Sequence, residues 1–259
     1  MKRTLTWSDD GSPTLYCETF GETYHSDAGA VEESLHVFLR AGLEHRLSTL
    51  IKPDTTNKRS LHLVEYGFGT GLNVLLTLEQ HQQWRQQGVA SPDIYFRTLE
   101  KFPLTADEYN CLRFPQSALL TDPEMLLKLH QAPWEQPVEI VPGFFLLKQR
   151  LDFTQATATD LTTSPSSTPH PAIQGFCQPL DLIYFDAFSP GSQPELWELP
   201  IFQTLAKAST TGCVLVTYSA RGSVKQALRD AGFTVKRLPG YGRKRHMLRA
   251  TFLPLENYL

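Results

Sequence analysis

Hydrophobic and polar residues alternate along the first 25 positions on either side of an Asp10-Gly11 pair. Alternation with a period of two is typical of a half-buried strand, and Asp-Gly is a strong hairpin turn signal. The pattern predicts an N-terminal β-hairpin whose strands are 5–7 and 14–18.

Apolar residues next recur at positions 31, 35, 38, 39 and 43. This spacing corresponds to one face of a helix, so we expect a helix over 30–47. Ser26 and Asp27 precede it, and either side chain is of a type that caps helices.

Downstream of 51–60, apolar runs alternate with segments of helical spacing. Strands are expected at 61–66, 94–99, within 143–153, at 181–188, 213–219, 234–239 and 246–253, and helices at 73–87, over 104–131 with breaks near Pro115 and Pro123, before 213, and at 223–231. This alternation favours an α/β fold with a mostly parallel, doubly wound sheet. The last two strands predict an antiparallel edge.

Two polar stretches interrupt the pattern. The linker 51–60 predicts a boundary between an N-terminal hairpin and helix cap, 1–58, and a larger domain, 59–259. Of the 18 residues from 154 to 171, 12 are Ser, Thr or Pro. We therefore expect 154–175 to be a flexible surface insertion without a role in the core.

Composition excludes several classes of protein. Lys and Arg number 24 against 27 Asp and Glu, a net charge of −3, which argues against nucleic-acid binding by bulk charge alone. No apolar run reaches the roughly 18 residues of a membrane span, and no secretory signal is visible at the N-terminus. Four scattered cysteines without a CxxC pair argue against a zinc site and favour a reducing cytoplasm.

The strongest local motif is the stretch EYGFGTGLN, in which Glu65 precedes Gly67, Gly69 and Gly71. Alternate glycines let the chain turn sharply from strand to helix and approach a ligand closely. The third glycine of the dinucleotide fingerprint is missing, and a carboxylate near the turn suits a cationic ligand better than a pyrophosphate. The motif therefore favours S-adenosylmethionine over a dinucleotide.

Two further carboxylates follow apolar runs. Glu100 ends the second predicted strand of the larger domain, where an acid can accept hydrogen bonds from a ribose; a surface glutamate beside Lys101 is the alternative. Asp152 is a candidate for the adenine amino group, and an ordinary loop carboxylate is almost as good an interpretation.

Asp186 is the candidate catalytic residue. It lies at the carboxyl end of the most strand-like segment, in DLIYFDAFSP, and ligands of open α/β sheets bind outside such ends. We expect Tyr184, Phe185 and Phe188 to form an apolar collar around it, which would perturb its protonation. The alternative is an Asp that caps the following turn.

Positive charge is concentrated near the C-terminus. From Arg221 to Arg249 there are nine Lys or Arg and one acid, a local net charge of +8, whereas the other residues include 15 bases and 26 acids. A loop within it, GYGRKRH, places three cations beside a tyrosine, which suits a phosphate backbone or an unstacked base. Its candidate substrate-binding residues are Tyr241, Arg243, Lys244 and Arg245. A solvated face is the alternative.

Several motifs together resemble the MnmC/MnmD family of tRNA methyltransferases. They are ETYHSDAGAVEESLHVFL, VEYGFGTGLN, LEKFPLT, YFDAFSP followed by ELW, and GYGRKRHML, in this order from about residue 14 to residue 250. The resemblance implies a Rossmann-like fold and S-adenosylmethionine as methyl donor. It adds Tyr24, Ser26, Asn73, Lys101 and Asp186 to the expected cofactor-binding residues, with Phe188 on the substrate side.

The resemblance also implies a substrate: the amine of 5-aminomethyl-(2-thio)uridine at the wobble position of tRNA, in the anticodon stem-loop, supplied by upstream modification enzymes. No metal or membrane is expected. In many bacteria this domain is fused to a flavin-dependent oxidase; the chain has no flavin fingerprint, so the stand-alone MnmD-like form is expected. The Ser/Thr/Pro-rich insertion has no counterpart in the resemblance.

An alkylamine has a pKa of about 10 and must lose its proton before it attacks, which costs roughly 4 kcal/mol at pH 7. Because an ordinary Asp is a poor base for such an ammonium, we expect Asp186 chiefly to orient the amine, and to accept its proton only if the collar desolvates the carboxylate.

Three other functions remain open. A methyltransferase for a small molecule or protein would keep the glycine turn without needing the cationic loop. An aminopropyltransferase would also use an acid after a central strand. An RNA-binding module with a vestigial cofactor fold is the third, and the joint presence of Glu65, Glu100 and Asp186 argues against it.

Overall fold

The N-terminal residues form a small antiparallel sheet. A computed structural model of the chain describes residues 1–50, 60–89, 91–114, 124–164 and 174–254. Strands β1 (Arg3–Trp7) and β2 (Pro13–Cys17) pair across a turn in which Gly11 has a φ of 77°. The predicted hairpin is thus confirmed, and a third strand that the pattern does not reveal, β3 (Glu22–Thr23), pairs with β2.

The first helix, α1, runs continuously through Ala30–Ser34, Leu35–Glu44 and His45–Leu50. Its middle stretch is a π-helix, which the 3.6-residue period of the sequence does not predict. A Cβ atom on Gly42 would lie 2.8 Å from Cγ2 of Val216, so this glycine lets the helix pack closely on the central sheet.

The start of α1 differs from the prediction. Gly29 is its N-cap residue and makes no side-chain capping hydrogen bond, so the expected cap by Ser26 or Asp27 is wrong. Ser26 Oγ instead accepts the N–H of Ala28 at 3.3 Å, and the carbonyl of Asp27 accepts the N–H of Asp9 at 2.6 Å. This second bond ties the hairpin turn to the segment before the helix.

The central sheet comprises β4 (Ser60–Tyr66), β5 (Asp93–Leu99), β6 (Val138–Val141), β7 (Phe144–Gln149), β8 (Leu180–Phe185), β9 (Ser209–Thr217), β10 (Phe233–Pro239) and β11 (His246–Phe252). Their order is β10-β11-β9-β8-β4-β5-β7-β6. The five inner strands are parallel, which confirms the predicted sheet; in spatial order they are β9, β8, β4, β5 and β7. The antiparallel pair β10 and β11 is confirmed, and β6 forms a second antiparallel edge.

Helices cover both faces of the sheet. They are α2 (Leu72–Gln86), α3 (Ala106–Tyr109), α4 (Met125–Gln131), α5 (Ala158–Thr162), α6 (Leu199–Ala208) and α7 (Gly222–Asp230). Successive residues of the strands point to opposite faces of the sheet and pack in two hydrophobic cores. One core lies between the sheet and α1, α2 and α4, and the other between the sheet and α5, α6 and α7. The predicted helix over 104–131 is two short helices, α3 and α4, in its described part.

The Ser/Thr/Pro-rich insertion is partly structural. Leu161, on α5, is 1% exposed and belongs to the second core. The buried guanidinium of Arg97, on β5, donates hydrogen bonds to the carbonyls of Asp160 and Thr163, at 2.7 Å each. The prediction of a segment without a core role is therefore wrong for 154–164. Residues 165–173 of the insertion, and the linker residues 51–59 with the domain boundary, lie outside the described ranges.

Candidate functional site

The glycine turn brings three elements together. It joins β4 to α2, and Gly67, Gly69 and Gly71 have φ angles of 104°, 50° and 77°. A Cβ atom on Gly67 would lie 2.6 Å from the carbonyl oxygen of Asp186, and one on Gly69 would lie 3.1 Å from the ring of Tyr24. Only glycines permit this conformation together with these approaches, so the turn meets both the end of β8 and the N-terminal segment.

Glu100 ties the end of β5 to the same turn. Its Oε2 accepts the N–H of Gly69 at 3.1 Å, and its Oε1 accepts the N–H of Phe102 at 2.7 Å. Burial raises the pKa of this carboxyl, although both backbone hydrogen bonds oppose the shift. Each oxygen keeps a further lone pair, so the carboxylate can also accept hydrogen bonds from a ligand in the adjoining cavity.

Glu65 lies deeper than predicted. It is 1% exposed, its Oε2 accepts the hydroxyl of Thr98 at 2.7 Å, and it does not line the cavity. Burial raises its pKa well above the usual range, which favours the neutral carboxylic acid. The expectation that an ionised Glu65 faces a cationic ligand is therefore not supported by its placement.

Asp186 follows β8 and faces the cavity. Its Oδ2 accepts a hydrogen bond from Nδ2 of Asn73, on the first turn of α2, at 2.8 Å. Burial raises the pKa of Asp186 to about 7; the bond from Asn73 opposes that shift, the charge of Glu33 adds to it, and that of Lys244 opposes it. Oδ1 of Asn73 has no hydrogen-bond partner among the described residues.

These groups line a cavity of about 800 Å³ outside the carboxyl ends of β4, β5 and β8. Such a volume is typical of sites for small molecules and cofactors. An aromatic wall closes one side: the ring of Phe188 lies 4.7 Å from that of Phe20 and 5.0 Å from that of Tyr24. The N-terminal segment thus supplies part of the site.

The predicted collar around Asp186 is only partly present. Phe188 lines the cavity, but Tyr184 and Phe185 are wholly buried on opposite faces of β8. Tyr184 packs 5.2 Å from Phe38, and Phe185 packs 4.9 Å from Trp197. Side chains of successive strand residues point to opposite faces, so neither can surround a group at the strand end.

Lys101 and Asp152 line the cavity as an ion pair, with 2.6 Å between Nζ and Oδ2. Asp152 also accepts the N–H of Thr154 at 3.0 Å, as the cap of a short 3₁₀ turn. Asp152 is thus a turn cap at the cavity wall, and its contact with adenine stays a prediction. Ser26 lines the same cavity.

The cations of the loop between β10 and β11 have two kinds of environment. Lys244 turns toward the cavity: its Nζ lies 2.6 Å from Oε1 of Glu33 and 4.1 Å from the ring centre of Tyr218. The prediction that Lys244 offers its charge to a phosphate is not supported, because that charge is already paired. Arg243 is largely exposed at the cavity rim, 3.7 Å from Asp9, and Arg245 is exposed.

The structure brings together most of the predicted site residues. Those that line the cavity are Tyr24, Ser26, Gly67, Gly69, Asn73, Glu100, Lys101, Asp152, Asp186, Phe188, Arg243 and Lys244. Those that do not are Glu65, Gly71, Tyr241 and Arg245. Gly71 shapes the turn as the N-cap of α2, and the ring of Tyr241 lies 6.3 Å from that of His36.

Several cavity residues were missed from the sequence. Glu33 lies inside the quoted stretch ETYHSDAGAVEESLHVFL but was not singled out there, and Tyr218, directly after β9, belongs to no motif. His25, inside the quoted ETYHSD stretch, could have been singled out there. Its Nε2 lies 3.0 Å from Oγ1 of Thr70, and burial lowers its pKa to about 4. It is therefore neutral at pH 7.

Arg3 is a further unpredicted residue, and it fastens the N-terminal sheet to the site. Its Nε donates to the hydroxyl of Tyr24 at 2.8 Å, and its Nη1 donates to Glu108 at 3.0 Å. Its Nη2 donates to the carbonyl of Phe102. One guanidinium thus joins the aromatic wall to the chain that follows Glu100.

Across the described ranges, no group of three or more His, Cys, Asp or Glu side chains is placed to hold a metal ion. None of the helices described above is both long and apolar enough to cross a membrane.

Comparison with known proteins shows which proteins this chain is similar to. Residues 129–252 match the model of a family described as S-adenosyl-L-methionine-dependent methyltransferase. The tRNA 5-methylaminomethyl-2-thiouridine biosynthesis bifunctional protein MnmC of Paraburkholderia xenovorans is 32% identical over 251 residues, which are 96% of this chain and 35% of that protein. Its counterpart in Ralstonia nicotianae is 33% identical over 243 residues, 94% of this chain and 33% of that protein. The chain spans about a third of the length of these relatives.

A solved structure extends the likeness to the fold. The crystal structure of MNMC2 from Aquifex aeolicus superposes with a TM-score of 0.70 at 25% sequence identity, over 99% of this chain and 73% of that one. The family match, the motifs spread through the chain and the shared fold agree on one assignment. The chain contains an S-adenosyl-L-methionine-dependent methyltransferase domain and is similar, along nearly its whole length, to part of the MnmC proteins.

Proposed function

We propose that this protein methylates the amine of 5-aminomethyl-(2-thio)uridine at the wobble position of cytoplasmic tRNA. The curated relatives are named for the biosynthesis of the corresponding methylaminomethyl nucleoside. The observation that carries the proposal is Asp186, a carboxylate held by Asn73 in a cavity that also contains the glycine turn and an aromatic wall.

The cavity fits the methyl donor. In this proposal Glu100 accepts hydrogen bonds from the ribose hydroxyls, and Lys101 and Asp152, which line the same cavity, contact the base. When bound, S-adenosylmethionine supplies an electrophilic methyl group on its sulfonium.

Asp186 then has two tasks, orientation and proton acceptance. The hydrogen bond from Asn73 fixes the carboxylate, which lets it hold an incoming amine in one direction. Because burial raises the pKa of Asp186 to about 7, this carboxylate is a stronger base than an ordinary Asp. Its pKa is about three units below that of an alkylammonium. Proton acceptance requires a desolvated carboxylate, and in this proposal the surroundings of Asp186 in the cavity desolvate it, without the complete collar of aromatic residues.

The remaining walls suit a nucleoside within RNA. Phe20, Tyr24 and Phe188 offer faces on which an extruded uracil can stack. Arg243 and Arg245 are exposed cations on the loop that reaches the rim, where the phosphate backbone of an anticodon loop would pass.

A transfer assay tests the proposal. The purified protein, S-adenosylmethionine with a labelled methyl group, and tRNA carrying 5-aminomethyl-2-thiouridine are combined with chelator present. We expect label in the wobble nucleoside, identified by digestion and mass spectrometry. The matched control is the same tRNA with the amine acetylated, which should accept no label.

Labelling of the acetylated tRNA would contradict the assignment of the amine as acceptor. Absence of labelling on the free amine, with methyl transfer to a polyamine or a peptide amine, would favour the small-molecule or protein alternative. Binding of tRNA without binding of S-adenosylhomocysteine would favour the RNA-binding alternative.

A further inference from the structure

The ion pair between Glu33 and Lys244 lies in the same cavity as Asp186. Glu33 comes from the first turn of α1, and Lys244 from the loop between β10 and β11, so two distant parts of the chain meet here. Both side chains line the cavity. Glu33 is nearly buried, with a side chain 10% exposed, and that of Lys244 is 35% exposed.

The position of the ammonium is fixed from two sides. Nζ of Lys244 is 2.6 Å from Oε1 of Glu33 and 4.1 Å from the ring centre of Tyr218. The hydroxyl of Tyr218 donates to the carbonyl of Ala187 at 2.8 Å, so the ring is itself fastened beside the residue after Asp186. Lys244 is therefore held near Asp186 without being hydrogen-bonded to it.

This placement has a chemical consequence. A lysine ammonium and the ammonium of an aminomethyl substrate are both primary alkylammonium groups, and either can pair with the carboxylate of Asp186. A free lysine chain in the cavity would compete with the substrate for that carboxylate. A carboxylate that holds the lysine elsewhere removes the competition.

We propose that Glu33 is a positioning residue that restrains Lys244 against Tyr218 and so keeps Asp186 available to the substrate amine. The inference rests on the proposed function, since the amine is the substrate that this function names. Lys244 in turn compensates the charge of Glu33, which would otherwise add a second negative charge to the amine site.

Four titratable groups influence Asp186 from the elements packed around it. Glu33 and Lys244 act with opposite signs. Glu65, at the end of β4, and Tyr218, after β9, are both held neutral near pH 7, because burial raises their pKa values. Of these four groups, Glu33 and Lys244 are therefore the two whose opposite charges act on Asp186.

Two single variants should move that titration in opposite directions. Glu33→Gln frees Lys244 to pair with Asp186, and the pKa of Asp186 should fall by about one unit or more. Lys244→Met leaves Glu33 uncompensated, and the pKa should rise by about one unit. The double variant should lie within about half a unit of the unmodified protein, because both charges are absent.

The titration is measured on the free protein by carboxyl ¹³C NMR between pH 4 and pH 9, with the Asp186→Asn spectrum to assign the resonance. The matched controls are Glu32→Gln and Lys236→Met, which remove exposed charges of the same kind. Both controls should leave the pKa of Asp186 unchanged. Lys244→Arg keeps the positive charge, so in this variant the pKa of Asp186 should equal that of the unmodified protein.

Methyl transfer at saturating tRNA supplies the second readout. The acid limb of kcat should move down in pH for Glu33→Gln and up for Lys244→Met, and kcat for Glu33→Gln at pH 7 should fall by about tenfold. Shifts of the same sign in both variants, or none in either, would overturn the inference. The NMR titration needs no substrate, so the unmodified protein's inability to methylate tRNA would refute the proposed function separately.

Discussion

The two halves of the cavity are built in different ways. On the glycine-turn side, the contacts are made by backbone groups. The N–H of Gly69 donates to the carboxylate of Glu100, and Gly67 approaches the main-chain carbonyl of Asp186. On the side that faces the aromatic wall, side chains join distant segments. Arg3 meets Glu108, and Lys244 meets Glu33.

From this difference we propose that one half of the cavity serves the cofactor and the other the substrate. The backbone-built half is fixed by the sheet, so it can hold a cofactor whose shape does not vary. The half built by side chains consists of separate segments joined by ion pairs, so single substitutions there can alter substrate selection while the sheet remains intact. The predictions below test that separation.

The largest effect is expected for Asp186→Asn, at the junction of the halves. Asn keeps an acceptor for Asn73 but cannot take a proton, so methyl transfer should fall by about 10² or more. Affinity for S-adenosylhomocysteine should stay within about tenfold. The measurements are single-turnover rates and calorimetric binding. Near-normal turnover would move catalysis elsewhere, with Tyr24 the next candidate.

A large effect is also expected for Gly69→Val, in the backbone-built half. The residue has a φ of 50°, and its Cβ position lies 3.1 Å from Tyr24, so a branched side chain is strained and displaces the wall. Binding of S-adenosylhomocysteine should be lost in calorimetry. Gly222→Ala, at a position with open space, is the control and should bind normally. Unchanged affinity in Gly69→Val would show that the cofactor does not rely on this turn.

A moderate effect is expected for the double variant Arg243→Gln and Arg245→Gln. Each lost phosphate contact should reduce the log–log salt slope by about 0.7 to 0.9 units. Two contacts predict a decrease of roughly 1.5 units and a tRNA affinity about tenfold lower at moderate salt. Lys244 is left in place because its charge is paired with Glu33.

Affinity for S-adenosylhomocysteine should not change in this double variant, because both arginines lie outside the backbone-built half. The measurement is tRNA affinity at several salt concentrations. An unchanged slope would identify the cationic segment as a solvated face.

The smallest effect concerns stability. The pKa of Asp186 is about 7 in the folded protein, above its usual value, so the folded state retains a proton that the unfolded state releases between about pH 4 and pH 7. The free energy of unfolding should therefore lose this contribution as the pH rises through that window. In Asp186→Asn the residue does not titrate, so the free energy of unfolding does not lose this contribution.

Its Tm should exceed that of the unmodified protein by a few degrees at pH 8, and the difference should shrink toward pH 5. Thermal unfolding by circular dichroism at both pH values measures it. A difference that does not depend on pH would show that Asp186 is not a buried titrating group.

Local motifs made much of the site predictable. The glycine turn, Glu100 and Asp186 each stand at the end of a strand that the apolar pattern reveals, and parallel strands bring their carboxyl ends to one edge. Glu65 was misjudged because its neighbours in the sequence show that it is near the turn but not that its side chain points into the core. The prediction of a collar around Asp186 is wrong in part for the same reason, since Tyr184 and Phe185 point to opposite faces of β8.

Sequence patterns are enough to predict the alternation of strands and helices, the parallel sheet with its antiparallel C-terminal edge, and the motifs of a methyltransferase. These depend on hydrophobic periodicity and on glycine, which act over a few residues. Three features could not be predicted in this way: the π-helix within α1, the contact of part of the insertion with Arg97, and the pairing of Lys244 with Glu33. Those outcomes depend on contacts between segments far apart in the chain, where packing, burial and charge pairing decide among conformations that local sequence leaves open.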